Sequence, residues 1–259
     1  MFNEIHCGDS TSVLKNIESD TVDLTVTSPP YDDLRDYKGF IFNCRTLATQ
    51  LFRVTAPGGV VVWVVGDSVT NGSESCTSFK QAMCFVGTGF NLHDTMIYQK
   101  RSPLPANMEH KRYASEFEYM FVLSKGRPKT FNPIMEKSVH GGKMMVRGYR
   151  EKDGTVRKVE TGVKEEKIKG NVWCYDAGWM KSTQDVIAFE HPAIFPEKIA
   201  RDHIMTWTNE GDIVLDPMCG SGTTCKVARA LGRGYIGIDI SPEYCELAGK
   251  RLAQCVISF

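Results

Sequence analysis

The six residues Val60-Val61-Val62-Trp63-Val64-Val65 are uninterrupted, apolar and mostly β-branched. A run of this kind suits a central strand covered on both faces, because a strand with one wet face would alternate apolar and polar residues. Such a strand demands helices above and below it, and the flanking sequence supplies them. Val22-Asp23-Leu24-Thr25-Val26 reads as a second short strand, ending at Ser28-Pro29-Pro30. Cys44, Leu47, Leu51 and Val54 recur at helical spacing and stop before Pro57-Gly58-Gly59. Phe79, Ala82, Met83 and Val86 suggest another helix, with strands near 92–98 and 119–123. Towards the C-terminus come strand Ile213–Leu215, helix Thr223–Leu231 closed by Gly232, strand Tyr235–Ile238 and helix Pro242–Leu252. The alternation predicts an α/β fold with a doubly wound, mostly parallel sheet. From about Lys125 to Glu190 it disappears among charges, Gly141-Gly142, Asp153-Gly154 and isolated aromatics, as expected of an irregular insertion.

At 259 residues there is room for one α/β domain plus that insertion. No apolar run approaches the roughly 20 residues needed to span a bilayer. Met1-Phe2-Asn3-Glu4 lacks the marks of a signal peptide. The nine cysteines include no C-x-x-C pair, so free thiols, a reducing cytoplasmic setting and no metal site are expected. The net charge of zero hides a polarity. Lys100 to Lys169 holds 17 Lys+Arg against 9 Asp+Glu, a balance of +8, and the remainder holds 14 against 22, a balance of −8. On charge alone, a phosphate-facing surface and a solvated basic face are equally good readings of that segment.

Ile213 to Thr224 spells strand, glycine turn, helix, with Asp216, Pro217, Gly220, Ser221, Gly222 and Thr223 in the turn. Gly220 and Gly222 allow a sharp turn and close approach of a ligand at the C-terminal end of a strand, where open α/β sheets bind ligands. Asp239 follows Gly222 by 17 residues, at the tip of the next strand. An acid there accepts hydrogen bonds from ribose hydroxyls in Rossmann-like folds. The third glycine of a dinucleotide fingerprint is replaced by Cys225, and no G-K-[ST] follows, which counts against NAD and ATP. The plainer alternative is a tight turn and a solvated Asp239.

Thr27-Ser28-Pro29-Pro30-Tyr31 is the most specific string in the chain. Two prolines directly after a strand freeze the backbone and remove two amide donors, which fixes the direction of the neighbouring carbonyls. Ser28 adds a hydroxyl and Tyr31 a flat face. Acceptors and a stacking ring are what a base amine needs. A lone proline-terminated strand with a buried tyrosine would look the same.

Together the two motifs resemble the amino-methyltransferases that act on DNA. That family carries an [S/D/N]-P-P-[Y/F/W] tetrapeptide, here Ser28-Pro29-Pro30-Tyr31, and a D-P-F-x-G-S-G-T cofactor motif, here Asp216 to Thr223 with Met218 in place of phenylalanine. Cys7-Gly8-Asp9-Ser10 is similar to its G-D-[S/C] segment, whose aspartate meets the cofactor adenine. His191 to Glu197, including Phe195, Pro196 and Glu197, is similar to the segment closing the methionine end of the pocket. The catalytic motif comes first and the cofactor motif last, as in the circularly permuted β group. The glutamine methyltransferases with N-P-P-Y have the reverse order. The resemblance implies a Rossmann-like S-adenosylmethionine-dependent methyltransferase fold with three parts: catalytic 1–124, an inserted target-recognition region 125–190, and cofactor-binding 191–259. It further implies S-adenosylmethionine as cofactor, double-stranded DNA as partner, base flipping, and direct transfer to an exocyclic amine. Ser at the first position points to cytosine N4, with adenine N6 the alternative and a catalytically silent DNA-binding module a second. No Pro-Cys dipeptide is present for covalent cytosine C5 chemistry. A homodimer and a cognate restriction endonuclease are further expectations of the resemblance. Arg35, Tyr37 and Trp173 are candidate DNA contacts or, equally, packing residues.

Overall fold

A computed structural model describes residues 2–30, 43–101, 109 and 111–254. Within them the chain divides into two compact units, one formed by 2–132 with 171–254 and the other by Pro133–Gly170.

The larger unit is built on one eight-stranded sheet. Its strands are β1 (Glu4–Cys7), β2 (Val22–Thr27), β3 (Thr55–Val65), β6 (Asn91–Lys100), β7 (Phe117–Ser124), β12 (Val172–Tyr175), β13 (Ile213–Asp216) and β14 (Gly234–Asp239). They lie in the order β1-β14-β13-β2-β3-β7-β6-β12. Seven run the same way, and β7 alone is antiparallel to both its neighbours. A two-residue hairpin, β4 (Val69–Thr70) with β5 (Ser73–Glu74), follows β3. Helices α1 (Ser10–Leu14), α2 (Cys44–Val54) and α3 (Thr77–Val86) pack together on one side of the sheet. Helices α4 (Glu197–Trp207), α5 (Thr223–Ala230) and α6 (Pro242–Gln254) cover the other. The doubly wound, mostly parallel α/β sheet expected from the alternation is therefore present.

The apolar run behaves as its composition requires. Val60 to Val65 are all at most 1% exposed. Alternate residues Val61, Trp63 and Val65 join the core under α1–α3, with Leu47, Leu51 and Phe85. The strand itself begins earlier, at Thr55. Its pairing with β2 jumps from Val22↔Thr55 to Leu24↔Val60, so the extra residues around Pro57 form a bulge. That is how a strand accommodates a proline that cannot donate to the ladder.

The smaller unit consists of two antiparallel pairs, β8 (Met135–Lys137) with β11 (Glu166–Ile168) and β9 (Met144–Arg150) with β10 (Val156–Gly162). It is shorter than the 125–190 stretch that lacks a clear sequence pattern. Val172–Tyr175 instead extends the main sheet beside β6. Trp173 is buried and stacked on His203, with ring centroids 4.8 Å apart, so packing explains it. Burial drives the His203 pKa down to about 3, leaving a neutral ring in that core.

Candidate active site

Every described motif singled out in the sequence reaches the same edge of the sheet, the C-terminal ends of β1, β14, β13 and β2. These are four consecutive strands. After β2 the chain turns to one side of the sheet to reach β3, and after β13 to the other side to reach β14. The gap between β2 and β13 is thus a topological switch point, where open α/β sheets open a crevice. Pairing of Leu24 with Val214 and Thr25 with Leu215 sets Asp216 and Ser28 at neighbouring strand tips.

Two hydrogen bonds lock the motifs together. The Thr27 hydroxyl donates to Asp216 Oδ1 at 2.7 Å, and the Thr224 hydroxyl to the Val26 carbonyl at 3.1 Å. Ser28 and Pro30 are half-buried and Pro29 is buried. Tyr31, Arg35 and Tyr37 lie outside the described residues. Asp216 is fully enclosed, and burial pushes its carboxyl up to about 6 against the hydrogen bonds from the Thr27 hydroxyl and the Met218 amide, with Asp239 adding to the rise.

Asp239 Oδ2 accepts the Gly220 amide at 2.8 Å and Oδ1 the Ser241 amide at 2.9 Å. The carboxylate therefore holds the glycine turn, and each oxygen retains a lone pair for an outside donor. Asp9 caps α1: its Oδ1 accepts from the Thr11 hydroxyl (2.6 Å), the Ser12 hydroxyl (2.8 Å) and the Ser12 amide (2.9 Å). These bonds, the Thr11 hydroxyl's foremost, keep its carboxyl below the usual range although it is exposed. Ser10 donates to the Pro217 carbonyl, tying the Asp9 loop to the β13 turn.

The turn glycines are fixed from behind as well as by their dihedrals. Gly220 has φ +49° and Gly222 φ +76°, in the left-handed region. A Cβ on Gly220 would lie 2.8 Å from His191 Nε2, and one on Gly222 2.8 Å from Ala248 Cβ. The His191–Glu197 segment is thus packed on the turn, and Pro196 starts α4.

Three residues read from sequence as cofactor contacts bond to one cation, Arg251. Ser221 accepts from Arg251 through its carbonyl (2.6 Å) and hydroxyl (2.9 Å), and Thr223 Oγ1 accepts from it at 3.1 Å. Glu197 Oε1 accepts from Arg251 (3.0 Å), Lys226 (2.7 Å) and Thr183 (2.8 Å). Arg251, fully buried, also donates to Asp185 at 2.8 Å. Burial opposes ionisation of Asp185, yet the Arg251 guanidinium and Lys226 ammonium hold its carboxyl below its usual range. This ionic cluster under the turn was missed. Its signal is a charged residue at an apolar-face position, since Arg251 shares the helical stripe of Leu247, Ala248 and Leu252. Phe195 is half-buried at the end of the segment that meets the turn. The eight described cysteines are free thiols, and no group of metal-ligating side chains occurs among the described residues.

A doubly wound sheet with one reversed strand and a glycine turn at its switch point defines a Rossmann-like methyltransferase fold. The chain belongs to the DNA methylase family of N6/N4 type, whose model matches residues 22–250. It is 53% identical to the orphan methyltransferase M.BamHII of Bacillus amyloliquefaciens, over 94% of this chain and 93% of that one. It is 29% identical to the DNA adenine methyltransferase YhdJ of Escherichia coli K12, over 95% and 81%. Among solved structures, the cytosine-N4-specific PvuII DNA methyltransferase shares its fold with a TM-score of 0.70 at 20% identity, over 98% of this chain and 87% of that one. No helix among the described residues is long and apolar enough to cross a membrane.

Proposed function

We propose that this DNA methyltransferase methylates the N4 amine of a cytosine flipped from duplex DNA, using Ser28, Pro29, Pro30 and Tyr31. The supporting observation is the bond from Thr27 to Asp216, which couples the S-P-P edge to the glycine turn across the switch point.

S-adenosylmethionine is the methyl donor of this family, and the edge suits it. Asp216 and Asp239 end the adjacent strands β13 and β14, and Asp9 lies two residues beyond the end of β1, next in the sheet. Such an acceptor-rich, acidic edge favours a cationic ligand bearing hydroxyl and amine donors over a polyphosphate. Asp239 and Asp9 would take the ribose and adenine ends. Pro217, Gly220 and Phe195 would shape the walls. Glu197, Ser221 and Thr223 would hold that shape through Arg251. When bound, S-adenosylmethionine supplies a methyl carbon on positively charged sulfur, open to direct displacement.

The remaining work falls to the chain. The lone pair of a base amine is delocalised into the ring and is a poor nucleophile. The Ser28 hydroxyl and the Pro29 carbonyl accept its two N–H bonds, and Tyr31 stacks on the ring. Pulling the hydrogens towards fixed acceptors localises the lone pair on nitrogen, so that positioning and electrostatics carry the step. Ser28 need not be a strong base, because the ammonium formed when the amine takes the methyl group is acidic enough to lose a proton to water.

Mass spectrometry of nucleosides from DNA of cells expressing the protein, beside a Tyr31→Ala control, tests this. N4-methylcytosine with the intact chain alone is the expected result. N6-methyladenine would favour the second reading, to which the relative named an adenine methyltransferase lends support. Neither product would point to a silent DNA-binding module.

A further inference from the structure

Of the chain's four tryptophans, Trp63, Trp173 and Trp207 are at most 5% exposed, whereas Trp179 is 65% exposed. Packing explains the first three. Trp179 stands in the loop between β12 and α4 and has no part in the methyl transfer described above.

The loop holds this ring out rigidly. The Gly178 carbonyl accepts the Lys181 amide at 3.1 Å and the Ser182 amide at 3.0 Å, and the Gly178 amide donates to the Ser182 hydroxyl at 3.0 Å. The Gln184 side chain donates to the Met180 carbonyl at 2.7 Å, and Met180 takes φ +54°, a left-handed conformation uncommon outside glycine. Phe189 leans on the indole, with ring centroids 4.4 Å apart. A ring fixed in this way has little freedom left to lose when something stacks on it.

Both ends of the loop are fastened to the candidate site. The Ser182 carbonyl accepts the Glu197 amide at 2.9 Å, and the Thr183 hydroxyl donates to the Glu197 carboxylate at 2.8 Å. Glu197 and Asp185 share Arg251, which also holds Ser221 of the glycine turn. Two residues after Phe189, His191 lies against Gly220. The charges of the loop do not single it out for phosphate. Asp176 pairs with Arg101, Asp185 pairs with Arg251 and Lys226, and the exposed Lys181 and Glu190 have opposite sign. What the loop offers is a flat aromatic face beside the place of reaction.

A base that leaves the helix strips its neighbours of a stacking face, and an aromatic ring can replace it. We infer that Trp179 is a positioning residue that stacks on the bases left bare when the target nucleotide flips. The inference rests on the base flipping proposed above.

Because the other tryptophans are buried, acrylamide quenching of fluorescence reports Trp179. The full chain with S-adenosylhomocysteine is titrated with a duplex carrying the sequence methylated in expressing cells, and with a scrambled version of that duplex. Protection from acrylamide by the first duplex alone is the expected result. Protection by neither, or by both equally, would overturn the inference. So would protection by rising protein concentration without DNA, which would give the ring to a second copy of the chain. Trp179→Ala should weaken binding of the specific duplex at least about fivefold, and Trp179→Phe should restore most of that loss. Both variants should keep the salt dependence of binding, since stacking releases no counterion. An altered salt slope, or Phe behaving as Ala, would count against stacking. If DNA from expressing cells carries no methylated base, the proposed amine chemistry fails. A duplex selected by binding from a randomised pool then replaces the methylated sequence, and the quenching still decides the role of Trp179.

Discussion

Thr27 and Asp216 come from segments far apart in the chain and meet in a buried 2.7 Å bond. Asp216 is the group in the site whose charge is hardest to hold, with a native pKa of about 6 against about 3.9 in an unfolded chain. A carboxyl whose native pKa is raised contributes stability while protonated, and loses it as pH climbs through the interval between the two values. Stability should therefore fall from pH 4 to 6 by something on the order of 3 kcal/mol from this group. Asp216→Asn should remove that slope, measured as the difference in denaturant midpoint between the two proteins across the interval; parallel curves would refute it. Thr27→Val withdraws a donor from the same carboxylate. It should cost about 1.5–3 kcal/mol at neutral pH and carry the loss of stability to higher pH. Asp239→Ala should weaken S-adenosylmethionine at least tenfold by calorimetry with DNA affinity nearly intact. Equal cofactor affinity would withdraw the ribose role.

Among the elements, α6 shows most clearly what sequence reading could and could not see. Its apolar stripe of Leu247, Ala248 and Leu252 announced a helix packed on the sheet, and it is one. That Arg251 in the same stripe is a fully buried hub for Asp185, Glu197, Ser221 and Thr223 was not readable, because its partners come from three other segments. Arg251→Met should leave Asp185 and Glu197 with Lys226 as their one remaining cation and cost about 3–5 kcal/mol, lowering Tm by roughly 10 °C. A shift of only a degree or two would show that Lys226 suffices. The strand cores were legible for the opposite reason: Val60–Val65 and Ile213–Asp216 carry their environment in their own composition. β1 and β12 escaped notice because each is only four residues long and sits at an edge of the sheet. Helix α4 had its signal in Ile199, Ala200, His203, Ile204 and Trp207, diluted by the charges between them. In the site, the motifs and their shared edge were readable, whereas the back-packing of His191 on Gly220 was not.

For the molecule as a whole, net neutrality conceals opposite charge on different stretches, with the +8 balance confined to Lys100–Lys169. DNA binding should accordingly weaken at least tenfold between 50 and 200 mM salt, as expected when about two or more phosphates are neutralised, while cofactor affinity changes little. A salt-independent DNA affinity would remove the basic stretch from the interface. The strand order has a further consequence, for how the protein is made. β2 lies between β3 and β13, and β1 pairs only with β14. A ribosome that has released the S-P-P segment has therefore exposed a strand whose second neighbour is still almost two hundred residues from being synthesised. Throughout that interval the emerging chain shows an open, apolar strand edge, the kind that recruits chaperones or pairs with the wrong partner. Stalled nascent chains ending before Ile213 should be protease-sensitive around β2, and those extending beyond Asp239 should be protected. If the edge formed by β1, β14, β13 and β2 takes the methyl donor as proposed, the chain can hold that donor only after Asp239 has been synthesised.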